Sequence, residues 1–320
     1  MFAVCIEASH LRGMGHLFRA LNLTAYFRQK NEPFVIFINQ DPASLQILEE
    51  EKVPYEIVDF SDESSNWEAT LIHKYRISVW LNDKFESSRA LCTHVKQENI
   101  LLAVIDDRGE GAELADLHFA GMMFGKRKEE IPGKHVYLGL DYNILNPEIA
   151  KYVRMREKLG KIIVTLGGSD TYGVTVKAVK LLKEHGYRAD VLTGANFRHE
   201  RELSEVIDEE DHVFHTVPSL METFHEYDLA VTGGGVTALE ANAAGLPCVI
   251  IANELHEIAT GKYLAQMGGA VFAGYYKEIK ENCFDLSGLS ISHMSECALQ
   301  HVNLQGSENI YRICKEWETL

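Results

Sequence analysis

No stretch of this chain approaches the roughly 18 consecutive apolar residues of a membrane-spanning helix, so no integral membrane association is expected. Paired cysteines are also lacking. Six cysteines (Cys5, Cys92, Cys248, Cys283, Cys297 and Cys314) are scattered along 320 residues without a C-x-x-C pair. That spacing argues against a disulfide framework or a structural zinc site and suits thiols in a reducing compartment. Basic residues are scarce, with 31 Lys and Arg against 47 Asp and Glu and a formal net charge of -16. Such a surface does not supply the clustered cations that nucleic acid or an anionic membrane requires. It remains compatible with a small phosphorylated ligand, because backbone amides at a helix N-terminus hold phosphate without net positive charge. The opening MFAVCIEASH has no basic n-region and only a short apolar run, so no secretory signal is expected and the predicted location is the cytoplasm. Low-complexity segments, internal repeats, a G-x-S-x-G elbow, an H-E-x-x-H helix and a Walker A loop are all missing.

What is present is an alternation of apolar runs and amphipathic stretches. A length of 320 residues suggests two domains at roughly 100–200 residues each. Strands are expected over residues 2–8, 34–39, 55–60, 77–81, 101–106 and 136–140, with helices over 17–28, 43–51 and 87–98. A charged stretch at 147–159 reads as a helix, after which the pattern restarts. Strands are then expected over 161–166, 189–193, 212–217, 229–232, 248–252 and 270–273, and helices over 174–184, 219–225, 237–244 and 257–267. Continuous β-branched runs separated by helices imply parallel sheets covered on both faces. The expectation is two doubly wound α/β domains, 1–150 and 151–320, with ligand bound in an interdomain cleft outside the carboxyl ends of the strands.

Four constellations fall at such strand ends. Gly13-Met14-Gly15-His16-Leu17-Phe18-Arg19 follows the first strand and opens the first helix. Two glycines let the backbone approach a ligand closely, and the helix N-terminus offers free amides. The helix dipole disfavours imidazolium at that end, so His16 is a candidate general base. Leu166-Gly167-Gly168-Ser169-Asp170 ends the first strand of the second half, either as a loop facing ligand or as a turn capped by Ser169 or Asp170. Gly233-Gly234-Gly235-Val236-Thr237 leads into a helix carrying Glu240 about one turn on. This is a plausible phosphate cradle, with a hydroxyl at Thr237 and a carboxylate at Glu240 suited to a ribose. Asn253 and Glu254 close the strand at 248–252, followed by His256, which reads as a helix-end surface residue before it reads as a base. Asp106-Asp107 ends another strand; helix capping or loop structure ranks ahead of metal binding there, and no metal or other cofactor is expected.

Together, G-x-G-H-x-x-R, the mid-chain L-G-G-S-D and the block G-G-G-V-T-A-L-E-A-N-A-A-G-L-P resemble nucleotide-sugar proteins of the GT-B superfamily. The closer likeness is to the UDP-sugar hydrolase of pseudaminic acid biosynthesis and its spore-coat polysaccharide relatives. It extends over most of the chain, including the ending Gln305-Gly306-Ser307-Glu308-Asn309-Ile310. The resemblance implies release of free sugar and UDP from UDP-2,4-diacetamido-2,4,6-trideoxy-β-L-altropyranose. It implies that His16 activates water on a loop held by Gly13 and Gly15, with Arg19 closing the motif. By the same resemblance, Gly233–Gly235 and Thr237 hold the diphosphate, Glu240 binds the ribose, and Asn253 and Glu254 lie near the nucleotide. Leu81-Asn82-Asp83-Lys84 stands where the family often shows an Asp-x-Tyr-type element. Two alternatives stay open: a GT-B glycosyltransferase using the same donor, and a nucleotide-sugar binding protein without turnover.

Overall fold

The computed structural model describes residues 1–8, 14–167, 170–194, 196–215, 217 and 219–319. Two compact units are present, one formed by Met1–Asn146 with Leu304–Leu320 and the other by Pro147–Asn303.

The first unit runs β1 (Phe2–Ile6), α1 (Gly15–Gln29), β2 (Phe34–Ile38), α2 (Pro42–Glu50), β3 (Tyr55–Ile57), α3 (Trp67–Tyr75), β4 (Val79–Asp83), α4 (Arg89–Gln97), β5 (Leu101–Ile105), β6 (Leu117–Ala120) and β7 (His135–Leu138). Its seven strands are all parallel in the order β3-β2-β1-β4-β5-β6-β7, so the winding direction reverses between β1 and β4. Both faces of the sheet are buried, and alternation along β1 shows how. Phe2, Val4 and Ile6 pack with Leu17, Leu23 and Phe27 of α1, while Ala3 and Cys5 face Phe37, Trp80, Cys92 and Val95 on the other side. A strand apolar on both faces has to be covered twice, which is why β1 reads as an unbroken apolar run.

The second unit runs β8 (Ile162–Thr165), α5 (Val174–Glu184), β9 (Asp190–Leu192), α6 (Glu200–Ser204), β10 (Val213–Phe214), α7 (Leu220–His225), β11 (Leu229–Thr232), α8 (Val236–Ala243), β12 (Cys248–Ala252), α9 (Glu257–Gln266), β13 (Ala270–Tyr275) and α10 (Ile291–His301). Its six strands are parallel in the order β10-β9-β8-β11-β12-β13, with the reversal between β8 and β11.

Two features depart from the sequence reading. The chain's last helix, α11 (Gly306–Glu318), belongs to the first unit and not to the 151–320 segment, because Ile310, Ile313 and Cys314 bury in the same core as β1 and α1. The expected helix over 147–159 is only a short 3-10 segment, Pro147–Lys151, followed by chain without regular secondary structure. The reason lies in two arginines. Arg154 donates to the carbonyls of His225 and Tyr227 and pairs with Asp228, while Arg156, fully buried, donates to the carbonyls of Phe224, Tyr227, Arg154 and Ala244. Phe224 lies in α7 and Ala244 caps the C-terminus of α8, so the guanidinium satisfies carbonyls left open where two helices end.

Candidate functional site

The carboxyl end of the first sheet carries a linked set of polar side chains on α1, β4 and the end of β5. α1 begins at Gly15 with no side-chain cap and no acidic residue in its first turn, leaving its N-terminal dipole without a built-in anion. His16 and Arg19 stand three residues apart on one helix face, the geometry that H-x-x-R demands. His16 Nδ1 lies 2.7 Å from Asp83 Oδ1, at the end of β4. Asp83 is buried, which pushes its carboxyl up, but the charges of Arg19 and His16 outweigh burial and hold it down at about 2. An ionised carboxylate only accepts, so Nδ1 carries the proton of this bond, and in the neutral ring the lone pair sits on Nε2. Nε2 is buried and has no hydrogen-bond partner.

Arg19 braces this arrangement. Its Nε donates to Asp83 Oδ2 at 2.8 Å, one terminal nitrogen bonds Asp83 Oδ1, and the other donates to Asp106 Oδ2 at 2.7 Å. Burial alone would lower the guanidinium pKa, but Asp83 and then Asp106 raise it, so the cation is fixed. In the structure the Arg19 guanidinium grips two carboxylates. Asp106 itself has a φ of 50° and also accepts from the amide of Met122. Asp107 accepts from the amides of Ser87 and Gly109, so it shapes a loop. No group of three or more His, Cys, Asp or Glu suited to a metal occurs among the described residues. Phe85 packs edge-on to the His16 ring with centroids 4.5 Å apart. Gly13 lies outside the described residues.

At the carboxyl end of the second sheet, the three glycines 233–235 link β11 to α8, which begins at Val236 with Gly235 as an uncapped N-cap and no acidic residue in its first turn. None of the three has a positive φ, so conformational freedom is not what requires them. Close approach requires Gly234: a Cβ there would lie 2.5 Å from the carbonyl oxygen and 2.9 Å from the Cβ of Glu257. Gly235 is different, since its Cβ would meet only a Glu257 carboxylate oxygen at 3.4 Å. Thr237 and Glu240 are half-buried on α8. Asn253, at the end of β12, donates its amide nitrogen to the carbonyl of Leu166 at 3.2 Å and so ties the ends of β8 and β12 together. Its Oδ1, like Thr232 Oγ1 at the end of β11, is buried without a partner. Two orphaned polar atoms on adjacent strand ends, next to an uncapped helix, form a place that a polar ligand would satisfy.

Gly167 has a φ of 90°, a conformation glycine adopts without strain. Gly168 and Ser169 lie outside the described residues. Asp170 takes the capping role, accepting from the amides of Val174 and Thr175 at 2.8 Å. Glu254 is exposed, with Tyr172 donating to it at 3.4 Å, and His256 is an exposed residue at the start of α9. Sequence reasoning did not assign Asp83, Asp106 or Glu257 a part in the site. Glu257 accepts from the amide of Asn253 at 2.7 Å, which brings its carboxylate beside the glycine loop. The one available signal for Asp83 and Asp106 was their position at the carboxyl ends of β4, which borders the winding reversal, and of its neighbour β5.

No protein-family model matches the chain. It is 25% identical over 286 residues to an uncharacterized protein of Methanocaldococcus jannaschii, an alignment covering 83% of this chain and 58% of that protein. It therefore spans little more than half the length of that relative. It is 22% identical over 282 residues to the spore coat polysaccharide biosynthesis protein SpsG of Bacillus subtilis, covering 84% of this chain and 82% of the relative. Among solved structures, MurG of Acinetobacter baumannii superposes with a TM-score of 0.75 at 13% identity, covering 98% of this chain and 99% of that one. A UDP-GlcNAc 2-epimerase of Neisseria meningitidis bound to UDP-GlcNAc gives a TM-score of 0.64 at 11% identity, covering 99% of this chain and 100% of that one. Two doubly wound parallel-sheet α/β domains make this a fold of the GT-B class, shared with these solved structures.

Proposed function

We propose that this chain hydrolyses a UDP-linked amino sugar, a UDP-2,4-diacetamido-2,4,6-trideoxyhexose, to free sugar and UDP in nonulosonic acid biosynthesis, in the cytoplasm and without a metal. The observation that carries the reading is the His16–Asp83 pair: an imidazole oriented by a buried carboxylate, with Nε2 left unpartnered. In the reaction, water oxygen attacks the anomeric carbon while its proton passes to His16 Nε2. The anomeric C–O bond to the diphosphate breaks, and its electron pair leaves on the β-phosphate oxygen of UDP. Asp83 steadies the imidazolium that forms, as a carboxylate does wherever it backs a catalytic histidine. In the second unit the amides of Gly233, Gly234, Gly235 and Val236, with the Thr237 hydroxyl, receive the diphosphate, and the α8 dipole stabilises the charge that develops on leaving. Glu240 binds the ribose, and Asn253 and Glu254 supply polar contacts near the nucleotide sugar. Gly15 and the N-terminus of α1 keep room for the ligand next to His16, and Gly13, Gly167, Gly168 and Ser169 complete the proposed contacts.

Transfer of the sugar to an acceptor hydroxyl is the second reading. It would use the same base, and the exposed ring of Phe18, two positions along α1 from His16, favours it, since an acceptor would cover it. The test is incubation with the nucleotide sugar in the absence of any acceptor. Stoichiometric UDP and free sugar support hydrolysis. Tight donor binding with no UDP release is the outcome that turns the assignment to transfer.

A further inference from the structure

His16 Nε2, the atom that must receive a proton, is buried, although the side chain that carries it keeps 11% of its surface exposed. The ring of Phe85 stands across the imidazole, its centroid 4.5 Å away and its plane turned by 83°. Phe85 is itself 62% exposed, two residues beyond the Asp83 that orients the imidazole. A large apolar ring left this open to water gains little from burial and is free to change rotamer, yet it stands against the imidazole whose Nε2 has no partner. The carboxylate behind His16 is locked by Arg19, so the imidazole does not swing out to meet a nucleophile. The movable side of this contact is Phe85.

We propose that Phe85 selects the nucleophile at His16: it admits water to Nε2 and excludes larger hydroxyl compounds, and so keeps a GT-B site hydrolytic. The proposal deepens the hydrolase reading and rests on it for its chemistry, although the steric part stands on the geometry alone. With a small alcohol in place of water the balance is the same. The alcohol oxygen bonds to the anomeric carbon, its proton goes to Nε2, and the C–O bond to UDP breaks with its electrons on the diphosphate.

Two readouts separate the proposal from the hydrolase reading. The first is the product ratio, alkyl glycoside to free sugar, for wild type, Phe85→Leu and Phe85→Ala in buffer containing methanol or glycerol. Wild type is expected to give almost only free sugar, and Phe85→Ala a glycoside fraction at least tenfold higher. The second needs no turnover. It is the rate at which diethyl pyrocarbonate acylates His16, followed by peptide mass spectrometry, and it is expected to rise about tenfold in Phe85→Ala with Phe85→Leu between. Thermal melts confirm that the variants fold, as an exposed ring leads one to expect. Equal acylation rates in wild type and Phe85→Ala overturn the gate whether or not the chain releases UDP. Faster acylation with an unchanged product ratio overturns nucleophile selection. Absence of UDP release from wild type overturns the hydrolase reading, and the acylation rates then decide on the gate by themselves.

Discussion

At the scale of single residues, the proposed chemistry turns on what holds His16. Replacing Asp83 by Asn keeps the size of the side chain but replaces an obligate acceptor by an amide that can donate to Nδ1 and invert the tautomer. Turnover should fall by about 10²–10⁴-fold while UDP affinity stays within a factor of about three, measured by steady-state kinetics and calorimetry on the same preparation. A kcat close to wild type would remove Asp83 from the mechanism. The same carboxylate sets an acid limit. Its folded value of about 2 lies below the ordinary 3.8 because Arg19 and His16 outweigh burial. A depressed carboxyl contributes stability that is complete above the unfolded-state value and lost as pH falls through the folded one. Between pH 4 and pH 2 the first unit should therefore lose about 2 kcal/mol that Asp83→Asn does not lose, read from denaturant unfolding of the two proteins. His16 and Arg19 were legible in the sequence because helical spacing puts them on one face. Asp83 and Asp106 were not, since they lie 67 and 87 positions from the residues they bind, and only the sheet order brings them together.

At the scale of elements, the glycine loop before α8 offers a contrast between neighbours. Gly234→Ala would force a Cβ against the backbone of Glu257, and overpacking of this kind costs about 1–3 kcal/mol, visible as a lowered melting temperature. Gly235→Ala meets only the end of a flexible side chain, so it should fold as wild type does and instead weaken UDP binding about tenfold by intruding on the proposed cradle. If both variants melted normally and bound UDP normally, the loop would not be a phosphate site. The run of glycines marked the place, but the sequence could not say that the middle residue answers to α9 packing and the next to open space. Local pattern failed outright at 147–159, where helix-forming residues lose regular structure after Lys151 because Arg154 and Arg156 find better partners in carbonyls at the ends of α7 and α8. Arg156→Met should accordingly cost about 3 kcal/mol or more, from acceptors left unsatisfied in the core of the second unit.

At the scale of the whole molecule, two parallel sheets with the same winding scheme were readable from alternating apolar runs, and no described helix is long and apolar enough to cross a membrane. The return of α11 to the first unit was less so, because an amphipathic C-terminal helix does not announce which core it covers. Ile310, Ile313 and Cys314 are buried there, and exposing apolar side chains of that kind costs about 1.5–3 kcal/mol apiece. A chain ending at Asn303 should show a first-unit transition at markedly lower denaturant with the second-unit transition in place.

The measurement that bears most directly on the account is UDP release from UDP-2,4-diacetamido-2,4,6-trideoxy-β-L-altropyranose, without acceptor, by wild type and His16→Ala. The account predicts steady release by wild type and a loss of at least about 100-fold in His16→Ala, with the nucleotide sugar still bound. Binding without release by wild type, or release that survives loss of the imidazole, would contradict it.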